Sequence, residues 1–226
     1  SQSLMSIFHS FTVAQHATAK FLYSCPDKYT RVLAPWHNMI NTFIWGGVNQ
    51  HGETLGNLCA YLNGMGGGAR MDRDGEHALS PIFATMADIG EQEMNEEEVP
   101  FLQLVSKKMT TNTQAPGKFR GGMGYTMIAS TKDSDQWGFM TTTQGSKVPT
   151  IQGLFGGYPG GSYPMCRVSG IDVYDILLKN PEQFKHSIHE TMNEQPFENA
   201  VYHTQHMGLG FDISKRGELY MISQGS

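Results

Sequence analysis

The sequence predicts an α+β fold: a helix at the N-terminus, a mainly β middle with long glycine-rich loops, a second helix and a final hairpin. Three observations carry this. Apolar residues recur at helical spacing over residues 3 to 23 and polar helix-forming residues return near residue 180. Between them, short β-branched and aromatic runs alternate with turn-forming clusters. The chain holds 26 glycines in 226 residues, which at this density mark turns and close backbone approaches.

In the first segment Leu4, Ile7, Phe8, Phe11, Ala14, Phe21 and Leu22 share one helical face. Cys25-Pro26 ends it, because the residue before proline is pushed out of the helical region. His9 and His16 are expected at its edge or on its solvent side. "NMINTFIWGGV" and "TLGNLCAYLN" then form a hairpin across the turn "NQHGE". The glycine loop "GGGARMDRDGEHA" (66 to 78) leads through a segment at 80 to 87 to the acidic run "GEQEMNEEEVP", where Glu91, Glu93, Glu96, Glu97 and Glu98 read as a solvated stretch. "FLQLVSKKM", "YTMIAS" and "WGFMTTT" are strands, the first two separated by the turn "APGKFRGGMG". "GLFGGYPGGSYP" is another glycine-rich loop. A helix is expected over "NPEQFKHSIHETMN", with Asn180 as cap and Pro181 in its first position. "GFDIS" and "ELYMIS", joined by "KRG", close the chain as a hairpin. Residues 1–226 are expected to form a single region, with a sub-boundary near 165–180.

Composition bounds the function. The charged fraction is 16%, against about 25% in an average soluble domain, and methionine is abundant at 14 residues. Such a surface is expected to be covered by other protein. The formal net charge of −5 and the lack of a Lys/Arg cluster argue against nucleic acid. Apolar runs fall short of the ~20 residues that cross a bilayer, and the N-terminus carries no signal-peptide pattern, so no membrane partner is expected and the cytoplasm is the expected location. Cys25, Cys59 and Cys166 form no C-x-x-C pair and no disulfide framework.

No motif carries a complete chemistry. The glycine loop lacks the Lys-Ser/Thr of a P-loop and the strand-to-helix context of a dinucleotide fingerprint. It is expected to be structural: at least one of Gly66, Gly67 and Gly68 at positive φ, a turn at Asp74-Gly75, and Arg70 and Asp72 held by local hydrogen bonds. His186 and His189, with Glu182 a turn earlier, are weak metal candidates on the expected second helix; His203 and His206 repeat the spacing in a loop. No nucleophile signature is present, and catalytic residues are not identified.

In order, however, "GGGARMDRDGEHA", "EEEVP", "APGKFRGGMGY" and "GLFGGYPGG" resemble the hydantoinase B/oxoprolinase family across roughly residues 11 to 165. "APWHNMINTFIWGGVNQHGET" is more similar to the branch holding acetone and acetophenone carboxylases. The resemblance picks out Gly66, Gly67, Gly68, Arg70, Asp74, Gly75, Glu98, Pro100, Arg120, Gly121 and Gly122 as structural or site-lining. Arg120 is expected to be the most buried charge, paired with a carboxylate, for which Glu98 is the candidate because it ends the acidic run beside a strand.

Two departures stand out. The family's Asn-Asp-Pro-Tyr segment with its Gly-Gly, His and Asp is absent, as is a tract beyond "SQGS". The chain is therefore expected to correspond to an internal to C-terminal portion of a larger subunit. The resemblance implies part of an ATP-dependent ketone carboxylase that forms a β-keto acid from a ketone and bicarbonate. A cyclic amide hydrolase of the hydantoinase, oxoprolinase or lactamase kind, and an assembly module without activity, are the alternatives. It places ATP and Mg on a hydantoinase A-like nucleotide-binding partner and a divalent metal (Mn or Zn) in the N-terminal portion of the same subunit. No metal is expected in this chain. A small zinc-binding subunit is a further expected partner.

Overall fold

The computed structural model describes residues 2–28, 31–36, 42–49, 51–59, 65–79, 102–134, 137–142, 149, 151–162, 164–205, 208–223 and 225. Helix α1 (Gln2–Tyr23) stops where the N–H groups of Ser24 and Cys25 bond back to Phe21 and Leu22, just ahead of Pro26. Strands β1 (Thr42–Val48) and β2 (Thr54–Cys59) form the expected hairpin. Asn49 builds its turn: Oδ1 accepts from the N–H groups of His51 and Glu53, both at 2.9 Å, and Gly52 supplies φ +82°.

The remaining strands are β3 (Leu102–Met109), β4 (Tyr125–Thr131), β5 (Trp137–Thr142), β6 (Met165–Ser169), β7 (Val201–Gln205), β8 (Gly208–Ser214) and β9 (Leu219–Ser223). They make two antiparallel sheets, one ordered β2-β1-β5-β8 and the other β3-β4-β9-β6-β7. A bulge interrupts β3 between Leu104 and Ser106. Short helices α2 (Val173–Lys179) and α3 (Ile188–Glu194) lie between β6 and β7, so the α+β class holds.

Strand periodicity explains the layering. On β4 and β9, Met127, Ala129, Tyr220 and Ile222 join Trp45, Trp137 and Phe139 in a core between the sheets. The alternate residues Ile128, Leu219 and Met221 point the other way, into a second core with Val173, Phe184, Ile188 and Phe197 under the helices. Every residue of β4 and β9 is buried as a result, because both faces of the five-stranded sheet are covered. Met65, Met127, Met165 and Met221 are all core residues, as their abundance leads one to expect.

Two elements depart from expectation. The final strands and their turn are present, but they do not pair with each other: β8 pairs with β5 and β9 with β4 and β6. The turn is a corner that carries the chain from one sheet to the other. The expected helix over 180–193 is broken. Asn180 caps the end of α2 through its N–H to Ile176, Pro181 opens one 3-10 turn (Pro181–Gln183), and Phe184 takes an extended φ/ψ of −73°/124°. Burial of Phe184 and Ile188 in the second core prevails over local helix preference. Strands β6 and β7 and helix α2 carry no strong sequence signal and appear only in the structure.

Candidate functional site

The family-motif glycines converge at a backbone crossing where segments 65–79, 115–124 and 34 meet. A β-carbon on Gly66 would lie 1.8 Å from the Gly122 carbonyl oxygen, and one on Gly68 1.8 Å from that of Ala34. On Gly75 it would lie 2.2 Å from the Gly67 oxygen, and on Gly122 1.9 Å from the Glu76 oxygen. Hydrogen bonds between these backbones follow: Gly67 to Glu76 at 2.8 Å, Gly122 to Gly67 at 2.8 Å, Gly75 to Arg120 at 2.8 Å, Gly121 to Ala115 at 3.0 Å and Gly66 to Gly225 at 3.1 Å. The glycines serve contact, not chain reversal. None of Gly66, Gly67 and Gly68 is at positive φ, which corrects that expectation. Asp74 and Gly75 make no turn either; the bend lies at residues 71–73, closed by Arg70 N–H to the Arg73 carbonyl at 2.9 Å.

Side chains pin the crossing. Arg70 donates Nε and Nη2 to Glu76 Oε1 at 3.0 and 2.6 Å, and Nη1 to the Arg31 carbonyl at 3.3 Å. Asp72 accepts from Arg73 at 3.2 Å. Asp74 Oδ1 accepts the backbone N–H of Arg120 at 2.8 Å, while Oδ2 accepts from its Nε and Nη2 at 3.3 and 3.2 Å. The backbone N–H, and after it the guanidinium, hold the Asp74 carboxyl below its ordinary 3.8. His77 Nδ1 accepts from the Met123 N–H at 3.0 Å.

Arg120 is therefore not a buried charge. Its side chain is 62% exposed and its partner is Asp74, because the glycines beside it are consumed by backbone contact and leave the arginine at the rim. Among the described residues the most buried ion pair is Arg167–Glu218, at 2.8 Å with side chains 15% and 8% exposed. Glu98 and Pro100, with the whole acidic run, lie outside the described residues. Next to the crossing, a cavity of about 310 Å³ opens between Tyr23, Arg70, Lys118, Phe119, Phe155 and Tyr158. A larger groove of about 550 Å³ runs under α1, and none of the motif residues lines it.

The histidine candidates are dispersed. His186 falls in the extended link before α3, with Nδ1 2.7 Å from Ser106 Oγ and its ring edge-on to Phe184; burial, then the nearby Lys108, lowers its pKa. His189 alone is on α3. His203 lies in β7, not in a loop, 3.3 Å from Ser169 Oγ, and His206 is outside the described residues. His16 bonds to the Thr12 and Gln152 carbonyls at the edge of α1, while the side chain of His9 is outside the described residues. Among the described residues no three His, Cys, Asp or Glu side chains gather as a metal site. No described helix is long and apolar enough to cross a membrane. The Asp74–Arg120 pair and the ring cluster had no sequence signal, since their members lie far apart in the chain.

Known proteins resemble this chain in sequence and fold. The chain is 24% identical over 220 residues, 97% of its length, to the acetophenone carboxylase delta subunit of Aromatoleum aromaticum. It is 28% identical over 125 residues, 54% of its length, to the acetone carboxylase alpha subunit of Xanthobacter autotrophicus. It spans 31% and 16% of those two proteins. Among solved structures, a nucleotide-free acetone carboxylase superposes on 96% of the chain with a TM-score of 0.79 at 17% identity, using 29% of that chain. An ATP-dependent caprolactamase from Pseudomonas jessenii covers 91% with a TM-score of 0.56 at 14% identity, using 31% of its own chain. The hydantoinase B/oxoprolinase family model matches residues 7–205, and the chain belongs to that family.

Proposed function

We propose that this chain is part of the catalytic large subunit of an ATP-dependent ketone carboxylase, of the acetone or acetophenone type, which forms a β-keto acid from a ketone and bicarbonate. The observation that carries this reading is the match of 97% of the chain to a subunit of an acetophenone carboxylase, supported by the acetone carboxylase relative. Residues 1–226 act within it as one region.

The residues described here fit neither a nucleotide nor a metal. A phosphate cradle needs free backbone N–H groups, and those of Gly66, Gly67, Gly75, Gly121 and Gly122 already donate to backbone carbonyls. Metal ligation needs converging donors, and His186, His189 and His203 lie on separate elements. We therefore assign ATP and Mg to a hydantoinase A-like partner, and a Mn or Zn ion to an N-terminal portion of the same subunit; a small zinc-binding subunit is the third component. ATP supplies the activation of ketone and bicarbonate by phosphorylation. This chain supplies walls: the glycine crossing packs backbone against backbone, an arrangement suited to shielding a labile intermediate from water. The setting is cytoplasmic.

The cyclic amide hydrolase reading rests on the caprolactamase fold, at a lower TM-score. The two separate in one assay of the assembled complex. Bicarbonate-dependent ATP turnover with acetone or acetophenone is the expected result; ATP turnover with a lactam and none with a ketone overturns it.

A further inference from the structure

The cavity beside the glycine crossing is built to stay open. Large apolar side chains normally fill a space of this kind by packing into it. Here the backbone holds them apart. Gly157 N–H donates to the Leu154 carbonyl at 2.9 Å, with Phe155 at φ +50° and Gly156 at φ +91°, which is a type I′ turn. A β-carbon on Gly153 would lie 2.3 Å from the Gly157 carbonyl oxygen, so the two limbs of the turn touch through their backbones. Tyr158 N–H donates to the Pro116 carbonyl at 3.0 Å and ties the turn to the segment carrying Lys118 and Phe119.

Phenylalanine is a poor residue for the first central position of such a turn, which favours Asn, Asp or Gly. Burial within these 226 residues does not compensate, because Phe155 is 68% exposed there and its neighbour Tyr158 67%. A ring held against local preference and against solvent gains when a ligand covers it. Tyr23 already meets Phe155 edge-on, with centroids 5.5 Å apart at 75°. The geometry leaves ring faces available to a third aromatic group. Charge narrows the class further. Among the described residues the lining holds no carboxylate. Arg70 is engaged by Glu76 and the Arg31 carbonyl, which leaves Lys118, 5.4 Å from the Phe119 ring, as the lining cation with no ion pair among the described residues. A volume of about 310 Å³ is at the small end for ligand sites and suits one ring with a short side chain.

We propose that this cavity binds a monocyclic aromatic carboxylate, the ring against Phe155, Tyr23 and Tyr158 and the carboxylate towards Lys118. Resting on the carboxylase reading, this makes an aryl keto acid, not a short alkyl one, the compound handled here.

The test is calorimetric titration of the assembled complex, without ATP, using 3-phenylpropanoate as probe, hexanoate as the alkyl comparator and 3-phenylpropanol as the neutral one. Saturable binding of 3-phenylpropanoate is expected, with hexanoate on the order of tenfold weaker for want of ring contacts. Phe155→Asn removes the ring while suiting the turn, so loss of affinity there is not loss of fold. That variant and Tyr158→Leu should each weaken 3-phenylpropanoate by roughly three- to tenfold. Lys118→Gln should weaken the acid and leave the alcohol unchanged. Equal binding of hexanoate and 3-phenylpropanoate, or unchanged affinity in both ring variants, overturns the site. Ketone-dependent ATP turnover without aryl binding overturns the site alone; aryl binding without such turnover counts against the carboxylase reading and leaves the site standing.

Discussion

A methyl group on Gly122 would sit 1.9 Å from the Glu76 carbonyl oxygen, inside any tolerable contact, and its neighbours there are backbone atoms that cannot rotate away. Gly122→Ala should therefore lower stability by about 3 kcal/mol, the upper range of overpacking costs. Gly52→Ala is the control: φ is +82° but nothing lies within 4 Å, so only the backbone penalty of about 1 kcal/mol applies. Denaturant midpoints of the two variants check the ranking, and equal losses would show that contact is not what these glycines provide. Asp74 gives a second residue-scale expectation. Its folded pKa is depressed, so its contribution is complete above the unfolded value near 3.8 and is lost as pH falls through the lower folded value. Asp74→Asn should flatten the stability profile below about pH 4 while Arg120→Ala, whose side chain is mostly solvated, changes it little. The measurement is thermal unfolding across pH 2.5 to 6 on the order of half-unit steps.

At the scale of elements, the corner between β8 and β9 hangs on Glu218. Its Oε2 accepts from Arg167 Nη2 at 2.8 Å, Ser214 Oγ at 3.1 Å and the Lys215 N–H at 3.3 Å, and Oε1 accepts from the Gly170 N–H at 3.3 Å. Arg167 Nη2 also donates to the Ile213 carbonyl at 2.9 Å. Burial pushes the Glu218 carboxyl up, and the Arg167 bond and charge, with the two backbone donors, hold it below its ordinary value. One carboxylate thus joins β6 on the five-stranded sheet to the end of β8 on the four-stranded one. Glu218→Ala removes the carboxylate that faces a buried guanidinium and accepts from four donors, and should cost about 3–5 kcal/mol. Chemical denaturation reads this, and a loss under about 1 kcal/mol would place the corner's stability elsewhere.

Among the described residues the four-stranded sheet, the five-stranded sheet and the short helices α2 and α3 stack as three layers. The first interface is aromatic, with Trp137, Phe139 and Tyr220 in mutual ring contact at 4.2 to 6.0 Å between centroids. Phe139→Ala removes the ring from the middle of that layer and should cost about 3–5 kcal/mol, read from the same denaturation curves. Function is expected only in a larger assembly, because the chain spans 31% of the acetophenone carboxylase subunit that it matches. The 226-residue chain alone should show no ketone-dependent ATP turnover with ATP, bicarbonate, a ketone and a divalent metal. In its complex it should bury more than the ~1,000 Å² of a specific interface. Robust turnover by the lone chain would refute the assignment of both cofactors to sites beyond these 226 residues.

Periodicity and turn chemistry act between neighbours along the chain, and what they control was legible in advance. Helix α1 and its stop at Pro26, the β1–β2 hairpin, strands β3, β4, β5, β8 and β9 and the glycine loops all follow from residues a few positions apart. The order of glycine motifs also carried the family, since spacing survives where side chains vary. Contacts between distant segments were decided only by the folded chain. Sheet membership turned the final hairpin into a corner, because β8 pairs with β5 in one sheet and β9 with β4 and β6 in the other. Phe184 broke a helix that its own neighbours favour. Arg120 took Asp74 as its partner at the surface, and the glycines of the loop proved to be contact points, not turns. A virtual β-carbon 1.8 Å from a carbonyl more than fifty residues away is a fact of packing, and local sequence holds no record of it.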